Sequence, residues 1–351
     1  MTAAVAVIII VYLLYRLGSL WALRWYPDER HYLPLRGDRH LVLHRFRAPE
    51  GSTRHHPAIL CHGLGAHAPN LCLPGRYNLG ERLRREGYDV WVIDLPGNGM
   101  SVPGNWRRRD RFDATFDDYA LRDAPAAIDY VLRETGARRT FWVGHSMGGM
   151  VAYSVAAGAS ADKIRGAVAI ASPANLDHLR LLRAIAFVDF LLKPLSRVHQ
   201  VFLMRLLVPF VRFLPSFALR PVIKRENADI ATIKTVAANV LADVPVKLLR
   251  QFGRWVREGR RTSDDGYDYQ AALGDIRVPF LLLAGAGDVL AAPRSVEYAF
   301  ERIASPDKTY HLFSTETGGL ASYGHGDIMF GRHAPDEVFP RVVDWLDKRD
   351  A

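Results

Sequence analysis

Two cysteines in 351 residues, Cys61 and Cys72, are too few for a disulfide framework, so a packed core must hold this chain together. No Asn-X-Ser/Thr sequon occurs, and nothing points to passage through a glycosylating pathway. No internal repeat or low-complexity tract appears. No cluster of ligand residues has metal spacing, so neither a metal nor an organic cofactor is expected. No Lys or Arg precedes the first apolar run either, which argues against a cleavable signal peptide with its basic leader. What remains is ordinary globular material, 49% hydrophobic and 24% charged. At this length, one main domain with an insertion and a short N-terminal appendage is expected.

The net charge of +9 is unevenly placed. Between Leu176 and Arg225 lie nine basic residues and only Asp177 and Asp189, so this stretch carries +7 of the total. A basic cluster attracts phosphates of nucleic acid or anionic lipid, or is simply a solvated face. The apolar residues between the charges favour lipid, and nucleic acid is not an expected partner. The Arg107-Arg108-Arg109 run reads as a solvated loop.

Ala3 to Tyr15 form an uncharged apolar run, and Leu17 to Leu23 continue it after Arg16. The first part spans roughly 20 Å as a helix, and the whole roughly 31 Å, against a hydrocarbon core of about 30 Å. The longer span places an arginine in lipid, at about 2.5–3.5 kcal/mol near the centre. A membrane anchor, a signal peptide and an interfacial or buried helix all stay open, with the anchor preferred. The basic residues Arg16, Arg24, Arg30, Arg36 and Arg39 all follow the run, which puts the rest of the chain on the cytoplasmic side of a membrane.

From residue 41 the chain alternates apolar runs and helical patterns. Strands are expected at Leu41–Arg47, His56–Cys61, Tyr88–Ile93, Thr140–Gly144 and Ile164–Ala171, then at Pro279–Leu283 and Thr309–Phe313. Helices are expected at Asn78–Glu86, Phe116–Thr135, Met147–Ala157 and Ser295–Ile303, with a closing helix to about Lys348. This rhythm implies an α/β fold, a mostly parallel sheet flanked by helices. From Pro173 to about Gly274 helical patterns replace it with no convincing strand. The expected organisation is an N-terminal membrane anchor or interfacial helix over 1–27, a core in two parts over 28–174 and 275–351, and an inserted helical cap over 175–274. Within the cap, Leu179–Leu192 and Val201–Leu214 read as apolar helices, and Arg205 and Arg212, seven residues apart, would share a face of the second.

Gly144-His145-Ser146-Met147-Gly148 is a G-x-S-x-G pentapeptide between an apolar strand and a small-residue helix. That junction needs glycines on both sides of the serine and lifts its hydroxyl into an exposed, strained position. A serine hydroxyl attacks only when a base removes its proton. Of thirteen histidines, His325 stands in a glycine-flanked loop after the last expected strand, where this architecture places its base. The acid should follow a strand between the two, and Asp288 does, with Asp177 as its chief rival. Asp327 reads as a helix cap or loop anchor, and Asp94 as support for the pocket floor. His333, His199 and the pair His55-His56 read as surface residues. Oxyanion donors are expected from the backbone N–H groups of Met147 and of Leu64, in His62-Gly63-Leu64-Gly65.

With His62–Gly65, the stretches G-Y-D-V-W at Gly87–Trp91 and A-I-D-Y-V-L-R-E-T-G at Ala127–Gly136 carry a wider likeness, as do V-G-H-S-M-G-G at Val143–Gly149, G-A-G-D-V-L at Gly285–Leu290, G-H-G-D-I at Gly324–Ile328 and A-P-D-E-V at Ala334–Val338. In these the chain resembles the α/β-hydrolase superfamily, and within it most nearly the acid lipases of the gastric and lysosomal group. The likeness covers roughly residues 56–175 and 265–349. It implies the α/β-hydrolase fold with Ser146 as nucleophile, Asp288 as acid and His325 as base. Met147 stands where those lipases usually carry glutamine, and the cap does not match, so the resemblance does not fix the substrate. The expected activity is hydrolysis of a lipid or other hydrophobic carboxylic ester through a serine acyl-enzyme. Acyl transfer by the same triad and a non-catalytic, membrane-associated binding protein are the alternatives. The expected partners are the ester and a membrane surface met by the N-terminus and the basic cap.

Overall fold

The apolar runs assemble into one eight-stranded sheet. The computed structural model describes residues 2–36, 39–52, 54–102, 113–178 and 195–351. The strands are β1 (Glu29–Pro34), β2 (His40–Phe46), β3 (Ala58–Cys61), β4 (Val90–Asp94), β5 (Thr140–His145), β6 (Ile164–Ile170), β7 (Arg197–Val198), β8 (Val244–Pro245), β9 (Phe280–Gly285) and β10 (Lys308–Phe313). The sheet runs β1-β2-β4-β3-β5-β6-β9-β10, and β7 pairs with β8 separately. β1 and β2 are antiparallel to their neighbours, and from β4 to β10 every pairing is parallel. β3, β4, β5 and β9 are buried along their whole length. That is why they read as unbroken apolar runs instead of alternating ones.

β1 escaped the sequence reading. It is an edge strand whose residues alternate between half-buried and exposed, and Glu29, Arg30 and His31 give it the charged character of a guarded edge. The expected helix over Phe116–Thr135 is there but widens into a π turn at Tyr119–Asp123. Pro125, just beyond, has no N–H for the regular ladder, and the Tyr119 hydroxyl donates to the Pro96 carbonyl at 2.8 Å. The helix Met147–Ala157 is buried on nearly every side because β5 and β6 lie against it.

The segment between β6 and β9 contains the helices Gln200–Leu207, Ser216–Leu219, Ile230–Asn239 and Val246–Glu258. It is not free of strand, since β7 and β8 form a short antiparallel pair. Residues 179–194, with the expected helix Leu179–Leu192, lie outside the described residues, as does Arg107–Arg109. The expected helix Val201–Leu214 is broken: after Leu207 the chain continues as 3-10 turns over Val208–Phe213. Pro209 removes a donor at that point, so a seven-residue spacing no longer puts Arg205 and Arg212 on one α-helical face. Val246–Glu258 is strongly amphipathic, burying Leu248, Phe252, Trp255 and Val256, and stops at Gly259 with φ 65°. Arg261 then closes the insert on its own start, donating Nη1–H to the Ala174 carbonyl at 2.9 Å among the rings of Phe116, Trp255 and Tyr269. Burial lowers this guanidinium's pKa to about 10.

The apolar N-terminus is a helix, Thr2–Gly18. Its first part is open to solvent, with Ile8 67% exposed. Its end rests on the insert: Tyr15 stacks on Phe202, the Arg205 guanidinium lies over Tyr15, and Asn239 Nδ2 donates to the Trp21 carbonyl at 2.8 Å.

Burial predicts very different sensitivities at two leucines. Leu282→Ala, in the middle of β9, should lose about 2–5 kcal/mol in denaturant unfolding, whereas Leu20→Ala, 75% exposed, should stay within about 0.5 kcal/mol. Equal losses at both positions would contradict this assignment of the core.

Candidate active site

The serine sits where β5 turns sharply into Met147–Ala157. Its backbone takes φ 54° and ψ −117°, a region that L residues avoid at about 1–3 kcal/mol. Its own N–H is tied to the Ile170 carbonyl at 2.8 Å. The flanking glycines are required by crowding: a Cβ on Gly144 would strike the Gly148 carbonyl, and one on Gly148 would strike the Cys61 carbonyl. The strand-to-helix turn therefore admits this backbone only with the glycine spacing seen in the sequence.

Three side chains from distant parts of the chain meet here. His325 Nε2 lies 2.9 Å from Ser146 Oγ, and His325 Nδ1 lies 2.9 Å from Asp288 Oδ2. The other Asp288 oxygen accepts the Leu290 and Ala291 N–H groups, each at 2.8 Å. Burial pushes the Asp288 pKa up, but the facing His325 and these hydrogen bonds outweigh it and hold the carboxyl below its ordinary value. Asp288 is thus an anion that orients the imidazole, while Ser146 and His325 remain partly open to solvent. Asp177 is exposed, and His325 turns its Nδ1 to Asp288 instead.

Gly63 lies against the serine, close enough that a Cβ there would be 3.1 Å from Ser146 Cβ. Among the described residues neither the Leu64 nor the Met147 backbone N–H has a hydrogen-bond partner. The loop carrying Leu64 is shaped by His62, which accepts the Leu95 N–H at Nε2 (3.1 Å) and faces the Gly63 carbonyl with Nδ1 (2.8 Å). It is also shaped by Asn70, whose Oδ1 accepts the Gly63 N–H at 2.9 Å.

His145 and Asn70 belong to this site and were missed by sequence reasoning. The His145 ring bridges Asn70 Oδ1 at 3.1 Å and the His325 carbonyl at 2.9 Å, linking the Gly63–Leu64 loop to the histidine loop. Its place inside the pentapeptide was the only signal available. Asp94 lies buried beneath, accepting from the Ala68 and Met100 N–H groups and pairing with His44 Nε2 at 2.9 Å. Asp327 acts as a loop anchor: it accepts from Gly324 N–H (2.8 Å), Lys224 N–H (2.9 Å) and Asn227 Nδ2 (2.5 Å). With Gly326 N–H donating to the Val222 carbonyl at 2.6 Å, the insert grips the histidine loop directly. It grips the other flank too, where Ala242 N–H and Gln200 Nε2 both donate to the Gly65 carbonyl. His55 is exposed and His56 half-buried, its Nδ1 beside Asp350. Among the described residues no group of three or more His, Cys, Asp or Glu side chains is arranged to hold a metal ion.

A largely parallel sheet, a strained serine at the elbow after β5, and an imidazole and a carboxylate on later loops define an α/β-hydrolase. The chain belongs to the family described as serine aminopeptidase, S33, whose model matches residues 54–316. It is similar to the gastric triacylglycerol lipase of Bos taurus, 26% identical over 93% of this chain and 88% of that protein. The solved monoacylglycerol lipase of Paleococcus ferrophilus shares the fold at TM-score 0.59 and 22% identity, over 88% of this chain and 99% of the other. So does a soluble variant of the Saccharomyces cerevisiae monoglyceride lipase, at TM-score 0.64 and 17% identity, over 93% of this chain and 97% of the other.

Two of the buried histidines, His145 and His62, give a pH prediction. Burial, reinforced by His325, lowers the His145 pKa to about 3, and burial lowers that of His62 to about 4, both from 6.5. At pH 5 both rings should remain neutral in long-range 1H–15N spectra, while an unfolded imidazole is mostly protonated. The unfolded chain then holds the extra protons, so these two rings weaken folding as pH drops from about 6.5 towards their folded values. A protonated His62 at pH 5 would contradict the geometry described, because its Nε2 accepts the Leu95 N–H.

Proposed function

We propose that this chain is a serine hydrolase that cleaves a lipid or other hydrophobic carboxylic ester through an acyl-enzyme on Ser146. The observation that carries the reading is the line Ser146 Oγ–His325–Asp288, with both hydrogen bonds at 2.9 Å. In the proposed cycle Ser146 Oγ attacks the ester carbonyl carbon as its proton passes to His325 Nε2. Asp288 stabilises the imidazolium through Nδ1–H. The tetrahedral oxyanion accepts from the Leu64 and Met147 N–H groups, the two donors left without partners. On collapse His325 returns the proton to the leaving alcohol oxygen. Water, deprotonated by the same imidazole, then releases the acid and restores Ser146. The strain at Ser146 keeps Oγ forward of the helix and is tolerated because β5, β6 and the glycines hold that backbone on every side.

The choice of ester over peptide rests on two supports. Curated relatives matching 93% of the chain are lipases, although the family's description names an aminopeptidase. The surroundings are also apolar: the segment 195–274 grips both flanks of the serine and leaves Phe202, Phe213 and Phe217 exposed on its own surface, Phe213 by 73%. We read that segment as a cap over the site. The same surface bears on membrane contact. An 18-residue stretch, Ala4–Trp21, is long and apolar enough to cross a membrane and has little buried surface. Arg212 and Arg220 lie among the exposed phenylalanines of the insert, where acyl chains meet anionic headgroups. We therefore place the protein on a membrane, with residues 28–351 on the cytoplasmic side.

Ser146→Ala should abolish both ester cleavage and labelling by a serine-directed phosphonate, and Asp288→Asn should lower kcat by about 10⁴. His325→Ala combined with Ser146→Ala should be no worse than either alone, because the groups act as a unit. Ongoing phosphonate labelling of Ser146→Ala would remove the nucleophile assignment. A p-nitrophenyl ester series of increasing chain length, run beside an aminoacyl p-nitroanilide, tests the substrate class: faster anilide than ester turnover would favour a peptidase. In flotation assays the full chain should bind vesicles, with the anionic-lipid component weakening as salt rises. Failure to float with any vesicle would overturn the membrane placement.

A further inference from the structure

The glycines that frame the acid and the base are not there for a special backbone conformation. None of Gly287, Gly324 and Gly326 takes a left-handed φ, so each serves close approach. One short piece of the insert, residues 222–224, makes that approach at all three. A Cβ on Gly326 would stand 2.6 Å from the Val222 carbonyl oxygen. One on Gly324 would stand 2.8 Å from Asp327 Oδ1 and 3.1 Å from Lys224 Cγ. One on Gly287 would stand 2.8 Å from the Ser322 carbonyl oxygen and 2.9 Å from both Cδ and Nζ of Lys224. The Lys224 side chain therefore runs from the residue before His325 to the residue before Asp288.

Both ends of this lysine are fixed. Its backbone N–H donates to Asp327 Oδ1 at 2.9 Å, and its ammonium donates to the Ser322 carbonyl at 2.9 Å. Glu226 pairs with the ammonium at 2.9 Å from the solvent side, 65% exposed against 13% for the lysine side chain. A lysine loses more side-chain freedom than most residues when held down, so a mere surface charge would not be placed in this way. Val222 and Asn227 send their hydrogen bonds to the histidine loop, at Gly326 N–H and at the Ser322 carbonyl. Lys224 adds a contact with the acid's loop. The backbone already ties the two loops through Gly287 N–H and the Tyr323 carbonyl at 2.8 Å, and the lysine supplies a further tie from the side of the insert.

We propose that Lys224 is a positioning residue for the Asp288–His325 pair: its side chain sets the spacing of the two loops and so maintains their hydrogen bond at 2.9 Å. Its effect on turnover rests on the hydrolase reading. A reacting constellation has to be held to within about 0.5 Å, and a misplacement of about 1 Å costs on the order of 10² in rate. Asp288 and His325 both lie outside the insert, so packing of the insert through this one side chain completes the alignment of a pair it does not contain.

The test uses the full chain in detergent micelles with Lys224→Ala, which removes stem and ammonium, and Lys224→Met, which retains the stem. Two readouts are compared: hydrolysis of p-nitrophenyl octanoate, and the low-field 1H resonance of the proton between His325 Nδ1 and Asp288, assigned by its loss in Asp288→Ala. Lys224→Ala should lower kcat by about 10- to 100-fold with KM within about 2-fold, and should move the resonance upfield or broaden it away. Lys224→Met should lower kcat by about 2- to 10-fold, as expected for one lost hydrogen bond, with a smaller movement of the resonance. Thermal melts check folding, and Lys224→Met decides the matter alone if Lys224→Ala does not fold. A folded variant of either kind with the parent's kcat and resonance would overturn the proposal, whatever its melting temperature. So would a fall in kcat with the resonance unmoved, or a rise in KM alone, which would make Lys224 a substrate contact. A parent chain that shows the resonance but cleaves no ester would instead refute the hydrolase reading, and the resonance of the variants would still judge the spacing.

Discussion

The backbone at Ser146 is the constraint on which the rest of this molecule turns. A positive φ at a residue with a side chain is unfavourable, and here it is held by elements of different origin. β5 delivers the chain, β6 accepts the Ser146 N–H through Ile170, and the following helix packs against both strands. Gly144 and Gly148 leave no room for a side chain on either side. The buried centre of the sheet, β3, β4, β5 and β9, makes such a turn tolerable, since apolar packing of this extent offsets a local strain of about 1–3 kcal/mol.

Around that elbow the polar groups form connected lines, with few isolated contacts. His325 stands between Ser146 and Asp288, while its backbone carbonyl is held by His145, which also touches Asn70, which in turn fixes Gly63. The serine, the His325 loop and the Gly63–Leu64 loop therefore share one network. The insert enters it from both ends, at Gly65 and at Gly326 and Asp327. A displacement of the insert would be felt at the His325 loop and at the Leu64 loop together.

Much of this was legible in the chain. The strands β2 to β6, β9 and β10 were read within a residue or two; all but β10, a half-exposed edge, are buried over most of their length and appear as apolar runs. Ser146, His325 and Asp288 were legible because each is framed by glycines or closes a strand. β1 was not, since an edge strand needs no continuous apolar pattern, and the helix around Pro125 and Pro209 was read too smoothly. His145, Asn70 and Asn227 owe their parts to partners between 75 and 180 residues away, and local pattern carries no record of such pairs.

By itself the sequence determined the local events: which runs bury themselves, where glycine permits the elbow, and which residue types are chemically equipped to attack, to accept a proton and to hold an imidazole. Tertiary structure decided that the expected side chains do meet, that His325 turns to Asp288 and not to Asp177, and that His145 ties the Gly63–Leu64 loop to the histidine loop through Asn70. The physical reason is range. Hydrophobic periodicity and backbone sterics act over a few residues, whereas a hydrogen bond of 2.9 Å between positions 146 and 325 exists only once the sheet has brought their loops to the same edge.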